Sequence, residues 1–438
     1  MDKLVLMIVF LTPLSITFRE MLDKRVGTDL SMPTEPLLVG VLLLFIIKLI
    51  HGYRMDSKIL RHPISVIILI DLAWIAFTSI TSTMPMISLK FLISRLWFVV
   101  PIYFIGIELF KERKNIKRFI WLYIVPLTLV IFYTIYVHSK FEFAERPANW
   151  VVKPFYNDHT AYGAMLAMFI PALVGFMFIR KNSATTKIIA ILLFCIFIIA
   201  TVLSFTRAAW VSLAGALLIL LILWLRIQFR TLLIIAGVAL GVFFLYQDTI
   251  IAKLEENNQD ASDNFTEHIQ SISNISTDAS NKERLNRWSC AIRMFKSKPI
   301  IGYGPGTYSF QYGPFQLNRD KTIISTKFGD GGNAHSEYLG PLAESGIIGS
   351  LCFIILAGLV LATGMRVYYS LEDKELKVLT CVILLGLITY FIHGFMNNFL
   401  DTDKASVPFW GFVGMLTAID IYHTNKKEER ELLKPTAE

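Results

Sequence analysis

The chain has 438 residues, of which 54% are hydrophobic and 17% charged, with a formal net charge of +8. Soluble domains carry about 25% charged residues, so this composition excludes an ordinary soluble multidomain protein. Apolar runs near the ~20 residues of a membrane-spanning helix recur from end to end, and the positive balance reads as loop charge beside anionic lipid, not as a nucleic-acid footprint.

The opening "MDKLVLMIVFLTPLSITF" lacks a small-residue cleavage site and reads as a first span or signal anchor. Hydropathy and length predict about twelve spans, at 4–18, 34–50, 63–80, 89–110, 118–138, 160–179, 187–205, 208–225, 231–247, 346–365, 378–398 and 408–422. In lipid a bare backbone cannot be satisfied, so such spans must be helices. None shows the period-2 alternation of a membrane barrel. The expected fold class is all-α, a polytopic membrane helix bundle with one large periplasmic loop.

Lys and Arg placement sets the orientation. The connections with Arg54, Lys58 and Arg61, "KERKNIKR" (111–118), "RKNSATTK" (180–187), "RIQFR" (226–230), "RVYYSLEDKELK" (366–377) and the tail "KKEERELLK" all fall on one side. They hold about twenty basic residues, which predicts that side, and both termini, to be cytoplasmic. "TSTMPMIS" (81–88) falls on the other side and is uncharged. The expected organisation is an N-terminal transmembrane bundle of about nine helices over 1–247 and a periplasmic loop over 248–345. C-terminal transmembrane helices over 346–425 and a cytoplasmic tail over 426–438 follow.

Several stretches carry residues suited to chemistry. Near His159 in "KPFYNDHTAYG" (153–163), Asp158 and Thr160 suit a helix cap, with the histidine a bystander or a site residue. Arg207 in "LSFTRAAW" (203–210) sits between two apolar runs, as a functional charge or a snorkelling side chain. In "KERLNRWSCAIRMFKSKP", Leu285, Trp288, Ile292 and Phe295 recur at helical spacing, predicting an amphipathic helix at the membrane interface that Pro299 ends. Its Arg284, Arg287 and Arg293 read either as a solvated face or, with an arginine from another segment, as a bidentate clamp for a diphosphate. "GYGPG" follows no strand, so it reads as a tight turn near the membrane face rather than a nucleotide loop.

In "GGNAHSEYLGPLAESGIIG" (331–349), His335 has no metal-site partners: the P-C-x-x-C of zinc deaminases and the H-E-x-x-H of zincins are both missing. The stretch reads as a helix start with Asn333 or Ser336 near the cap, compatible with a catalytic His335, and with Glu344 and Gly346 turning into the next span. His393 and Asn397 are four apart on one face of a later span, where polar residues touch a ligand or hold helices together. The four cysteines show neither a disulfide framework nor a CxxC.

Three of these stretches, in order, resemble the O-antigen ligase family of bacterial membrane glycosyltransferases: "SFTRAAW" (204–210), "ERLNRWSCAIRMFKSKPIIGYGPGTY" (283–308) and "NAHSEYLGPLAESGIIG" (333–349). "PFYNDHTAYGAMLAMFIPALVG" (154–175) looks like the family's span-entry segment, and the similarity covers roughly residues 150 to 400. The family commonly has Asn after the histidine; Ser336 stands there here. The resemblance implies a lipopolysaccharide-biosynthesis transferase of the inner membrane with its active site facing the periplasm. Such an enzyme moves a glycan from undecaprenyl diphosphate to an acceptor hydroxyl, most commonly on lipid A-core. On this basis Arg207 and Arg284 are expected to bind the donor diphosphate and His335 to act as catalytic base in an inverting displacement, with no metal and no cofactor. Arg287, Glu337, Tyr303, His159 and His393 are the candidate supporting residues. A polymerase of lipid-linked repeats and a protein O-oligosaccharyltransferase share the donor chemistry and stay open. A lipid-linked sugar transporter is the alternative from another class, but it should gather its polar groups near the midplane rather than at one face.

Overall fold

The computed structural model describes residues 1–17, 30–235, 237–238, 241, 245, 279–317 and 331–424. It is an all-α bundle, and the described residues contain only one two-residue β pairing, Ile16–Thr17 with Ser31–Met32. The principal helices are α1 (Asp2–Leu11), α2 (Thr34–Ile50), α3 (Pro63–Ile80), α4 (Pro85–Leu109), α5 (Arg113–Ser139), α6 (His159–Phe178), α7 (Ala184–Leu203) and α8 (Arg207–Trp224). After the long connection come α9 (Ala279–Ser297), the short α10 (Leu339–Glu344), α11 (Gly346–Ser370), α12 (Lys374–Met396) and α13 (Asp403–His423).

Nine of these helices are long and apolar enough to cross a membrane among the described residues, and they match nine of the twelve expected spans. The exceptions have physical reasons. The expected span at 4–18 is a ten-residue helix that stops before Pro13, which sits in a following 3₁₀ turn. The 34–50 span is a helix of 17 residues, about 25 Å long against a hydrocarbon core of ~30 Å. The 231–247 span is described only in part, as helix at 231–235, 237–238, 241 and 245, and residues 246–278 and 318–330 of the large loop lie outside the described residues, as does the tail.

Burial sorts the helices into layers. The most apolar windows of α6, α12 and α13 are 83%, 78% and 89% buried, so these form the centre; α7 and α8, at 22% and 33%, form an edge. α6 packs on α12 and α7, and α8 packs on α12. Gly386 of α12 lets the backbone of α6 approach, since a Cβ there would lie 2.7 Å from the Met168 carbonyl oxygen. Helix starts are fixed by side-chain caps: Asp158 accepts from the amides of Thr160 (2.8 Å) and Ala161 (2.9 Å), and Asp373 from Glu375 (2.9 Å) and Leu376 (3.2 Å). In α4, Pro101 cannot donate to the helical ladder, and Val100–Phe104 widens into a π-helical turn.

Two ionic knots tie remote parts of the chain. At the head of α13, the Lys404 ammonium donates to the carbonyls of Thr12 (2.5 Å) and Ser15 (2.7 Å), while the Asp403 carboxylate accepts from the Ser15 and Thr34 hydroxyls. At the opposite end of α13, Asp420 pairs with His62 (2.9 Å) and bidentately with Arg366 (2.9 and 2.6 Å). Burying charge is tolerated where every ion is matched.

Candidate active site

The heads of α6 and α8, the tail of α12, the helix α9 and the 331–345 loop meet at one end of the bundle. α8 starts where it does because Thr206 and His159 lock the turn before it. The Thr206 hydroxyl donates to the His159 carbonyl (3.0 Å), and His159 Nδ1 lies 2.7 Å from the Ser204 carbonyl. A Cβ on Gly163 would meet the Thr206 side chain at 2.7 Å, so the two helix heads touch closely. This places Arg207, the first residue of α8, beside the head of α6. His159 is thus a strut between these heads.

α9 leaves part of its apolar stripe exposed and buries polar residues on another side. Leu285 and Ile292 of the apolar stripe are 41% and 40% exposed, whereas Glu283, Asn286, Arg287 and Cys290 are buried. The reading of Arg287 as part of a solvated face therefore fails. Its Nε donates to Glu283 Oε1 at 2.7 Å, and its guanidinium stands 4.0 Å over the Tyr312 ring. Nη1 is buried without a hydrogen-bond partner, and a Cβ on Gly332 would come within 2.5 Å of it. Arg293 is also structural, its Nε bonding the Phe315 carbonyl at 2.6 Å.

The "GYGPG" turn is a clasp. Gly302, Gly304 and Gly306 all have positive φ, and a Cβ at Gly302 would lie 2.3 Å from the Glu344 carbonyl oxygen. The Tyr303 amide donates to the Ala343 carbonyl (3.1 Å), and its own carbonyl accepts from Thr83 Nα (2.9 Å). The Tyr303 hydroxyl meets Ser297 Oγ at 2.7 Å, so this side chain braces the end of α9. Glu344 accepts from the Tyr308 amide (2.9 Å), and burial pushes its carboxyl up to about 7.

His335 sits on a backbone with φ +48°, a region bulky residues rarely adopt. It is held there from both sides: its amide donates to Asn333 Oδ1 (3.1 Å) and its carbonyl accepts from the Trp288 indole (3.3 Å). Ser336, fully buried, accepts from the amides of Tyr338 and Leu339 (3.3 Å each) and so starts α10. Glu337 turns inward and is buried. Its Oε1 accepts from the Tyr390 hydroxyl (2.7 Å) and the amides of Phe399 (2.8 Å) and Leu400 (2.9 Å). Burial and the Asp401 charge raise its carboxyl to about 7. It pegs the His335 loop to the α12–α13 connection.

Burial, reinforced by the charges of Arg284 and Arg287, pushes the His335 imidazole down from 6.5 to about 4, against the opposing pull of Asp158 and Glu283. Arg284 and Asp158 also bear electrostatically on His393. His393 is buried, with Nε2 3.2 Å from Asn397 Nδ2. The corner thus gathers His335, His393, Asp158 and the two arginines of α9, next to Arg207. Among the described residues no three His, Cys, Asp or Glu side chains group as a metal site.

Sequence reading missed two features. Asp158 is a cap, as expected, but its charge also acts on His335 and His393. Glu283 is the partner that makes a buried Arg287 affordable, and the i,i+4 spacing was the available signal. Residues 191–354 match the family described as O-antigen ligase, a range that holds Arg207, α9 and His335 but neither His159 nor His393. No curated protein matches the chain. The segment of this multi-pass membrane protein that carries the arginines and the loop histidine is thus similar to the O-antigen ligase family.

Proposed function

We propose that the chain transfers a glycan from undecaprenyl diphosphate to an acceptor hydroxyl at the outer face of the inner membrane, with lipid A-core the first acceptor to test. The arrangement that supports this reading is a half-buried imidazole in the field of two arginines: partial burial, Arg284 and Arg287 push His335 down to about 4. Neutral at pH 7, it has a free lone pair for a hydroxyl proton.

Arg207 and Arg284 hold the diphosphate by charge-assisted hydrogen bonds. The acceptor oxygen gives its proton to His335 and attacks the anomeric carbon from the face opposite the diphosphate. The anomeric C–O bond breaks, and its electron pair leaves on the diphosphate, whose growing charge the guanidiniums stabilise. The product is inverted. The dianionic donor also corrects the base. Phosphate charge placed on the arginines offsets the field that disfavours imidazolium, so His335 becomes more basic once the donor is bound. Arg287 maintains that field from its buried pair with Glu283, and His393, His159, Tyr303 and Glu337 hold the surrounding backbone.

Purified protein incubated with lipid-linked glycan and candidate acceptors tests the assignment. Loss of transfer in both His335→Ala and Arg284→Ala is expected; normal transfer by either would remove that residue's role. One glycan–acceptor product marks a ligase, a ladder on the carrier marks a polymerase, and no covalent product marks a transporter.

A further inference from the structure

A large apolar cavity lies away from this site. It encloses about 1110 Å³ between α7 and α8, floored by α6 and α12, with an apolar wall that includes Phe194, Trp210, Leu217 and Leu385. That volume is at or above the upper end of ordinary ligand pockets. Its charged residues gather at one end, where the tail of α6 and the head of α12 meet: Arg180, Lys181, Lys374 and Lys377 against Asp373 and Glu375. Both acids already have basic partners. Asp373 accepts from Arg113 at 2.9 Å, and Glu375 pairs with Lys117 and with Lys181 at 3.4 Å. The rim therefore carries surplus positive charge.

The same helices carry the candidate active site at their other ends: Asp158 and His159 open α6, and His393 lies in the last turn of α12. α6 has 20 residues, so the rim lies ~30 Å from the active-site corner, a hydrocarbon thickness away. A ligand whose charge sits at this rim has its headgroup at the opposite membrane surface from His335.

We propose that this groove binds an anionic phospholipid of the leaflet opposite His335, its acyl chains between α7 and α8 and its phosphate on Arg180, Lys374 and Lys377. The commitment to an anionic headgroup comes from the unbalanced rim, since a zwitterionic lipid gains nothing from it. The site depends on neither the transfer reaction nor the acceptor.

The test is native mass spectrometry of the detergent-purified full chain, titrated separately with phosphatidylglycerol, phosphatidylcholine and undecaprenyl phosphate. Phosphatidylglycerol is expected to bind at least roughly tenfold more tightly than phosphatidylcholine of the same chains, as about two basic contacts imply. Arg180→Glu with Lys374→Glu should remove most of that preference. Ala214→Trp, which fills the groove from α8 and leaves the rim intact, should abolish binding of either phospholipid there. Thermal unfolding checks that each variant is folded. Equal binding of the two phospholipids, phosphatidylglycerol binding that survives both variants, or undecaprenyl phosphate outcompeting phosphatidylglycerol in the groove would each overturn the proposal.

Discussion

Replacing Arg287 by glutamine isolates the field that keeps His335 neutral. The drop of the imidazole from 6.5 to about 4 corresponds to ~3.4 kcal/mol in favour of the neutral ring. Burial is its largest cause, and Arg284 and Arg287 add to it against the opposing pull of Asp158 and Glu283. The sign follows directly. A histidine depressed on folding stays in its base form down to its lowered pKa, so wild-type kcat/KM should lose activity only as pH falls toward 4. Removing a cation that opposes imidazolium raises that pKa, and the Glu283 carboxylate left behind raises it further. The acidic limb of kcat/KM should therefore move up in Arg287→Gln, while Arg287→Lys, which keeps the charge, leaves it near the wild-type position. The assay is initial transfer rate at subsaturating lipid-linked donor in nanodiscs across pH 4 to 8, with folded protein quantified because breaking a buried pair costs about 3–5 kcal/mol. An unmoved or lowered limb in folded Arg287→Gln would refute the electrostatic role of Arg287 and the identity of His335 as the titrating base.

Gly332→Ala puts a methyl group 2.5 Å from Arg287 Nη1, and the guanidinium is too tightly held by Glu283 and Tyr312 to retreat; a stability loss of about 1–3 kcal/mol and reduced transfer should appear in thermal unfolding and rate measurements. Glu337→Gln keeps an oxygen for the three donors that converge on Oε1, and burial already favours the neutral acid, so its unfolding temperature should stay close to wild type. Glu337→Ala leaves those donors buried and unmatched and should lower stability by several kcal/mol, at about 1–3 kcal/mol for each group; equal stability of the two variants would show that the peg carries no weight.

Hydropathy and length determined most of the spans, because lipid leaves a chain few alternatives to the helix. Local chemistry also settled the Asp158 cap, the "GYGPG" turn and the start of a short helix at Ser336, since each depends on residues within a few positions. The order of the arginine and histidine segments was likewise written in the sequence. Only the tertiary structure decided which face of α9 is buried. Hydrophobic periodicity gave the stripe with Leu285 and Ile292, which are exposed, but not the burial of Glu283 and Arg287, where Arg287 is matched by Glu283 and Tyr312. Only tertiary structure revealed that Glu337 serves the α12–α13 connection, through bonds to residues 53 to 63 positions away. The meeting of Asp158, Arg284, His335 and His393 is likewise set by how α6, α9 and α12 pack. Local propensity acts over a few residues, whereas the field that holds His335 neutral is the sum of charges that only packing brings together.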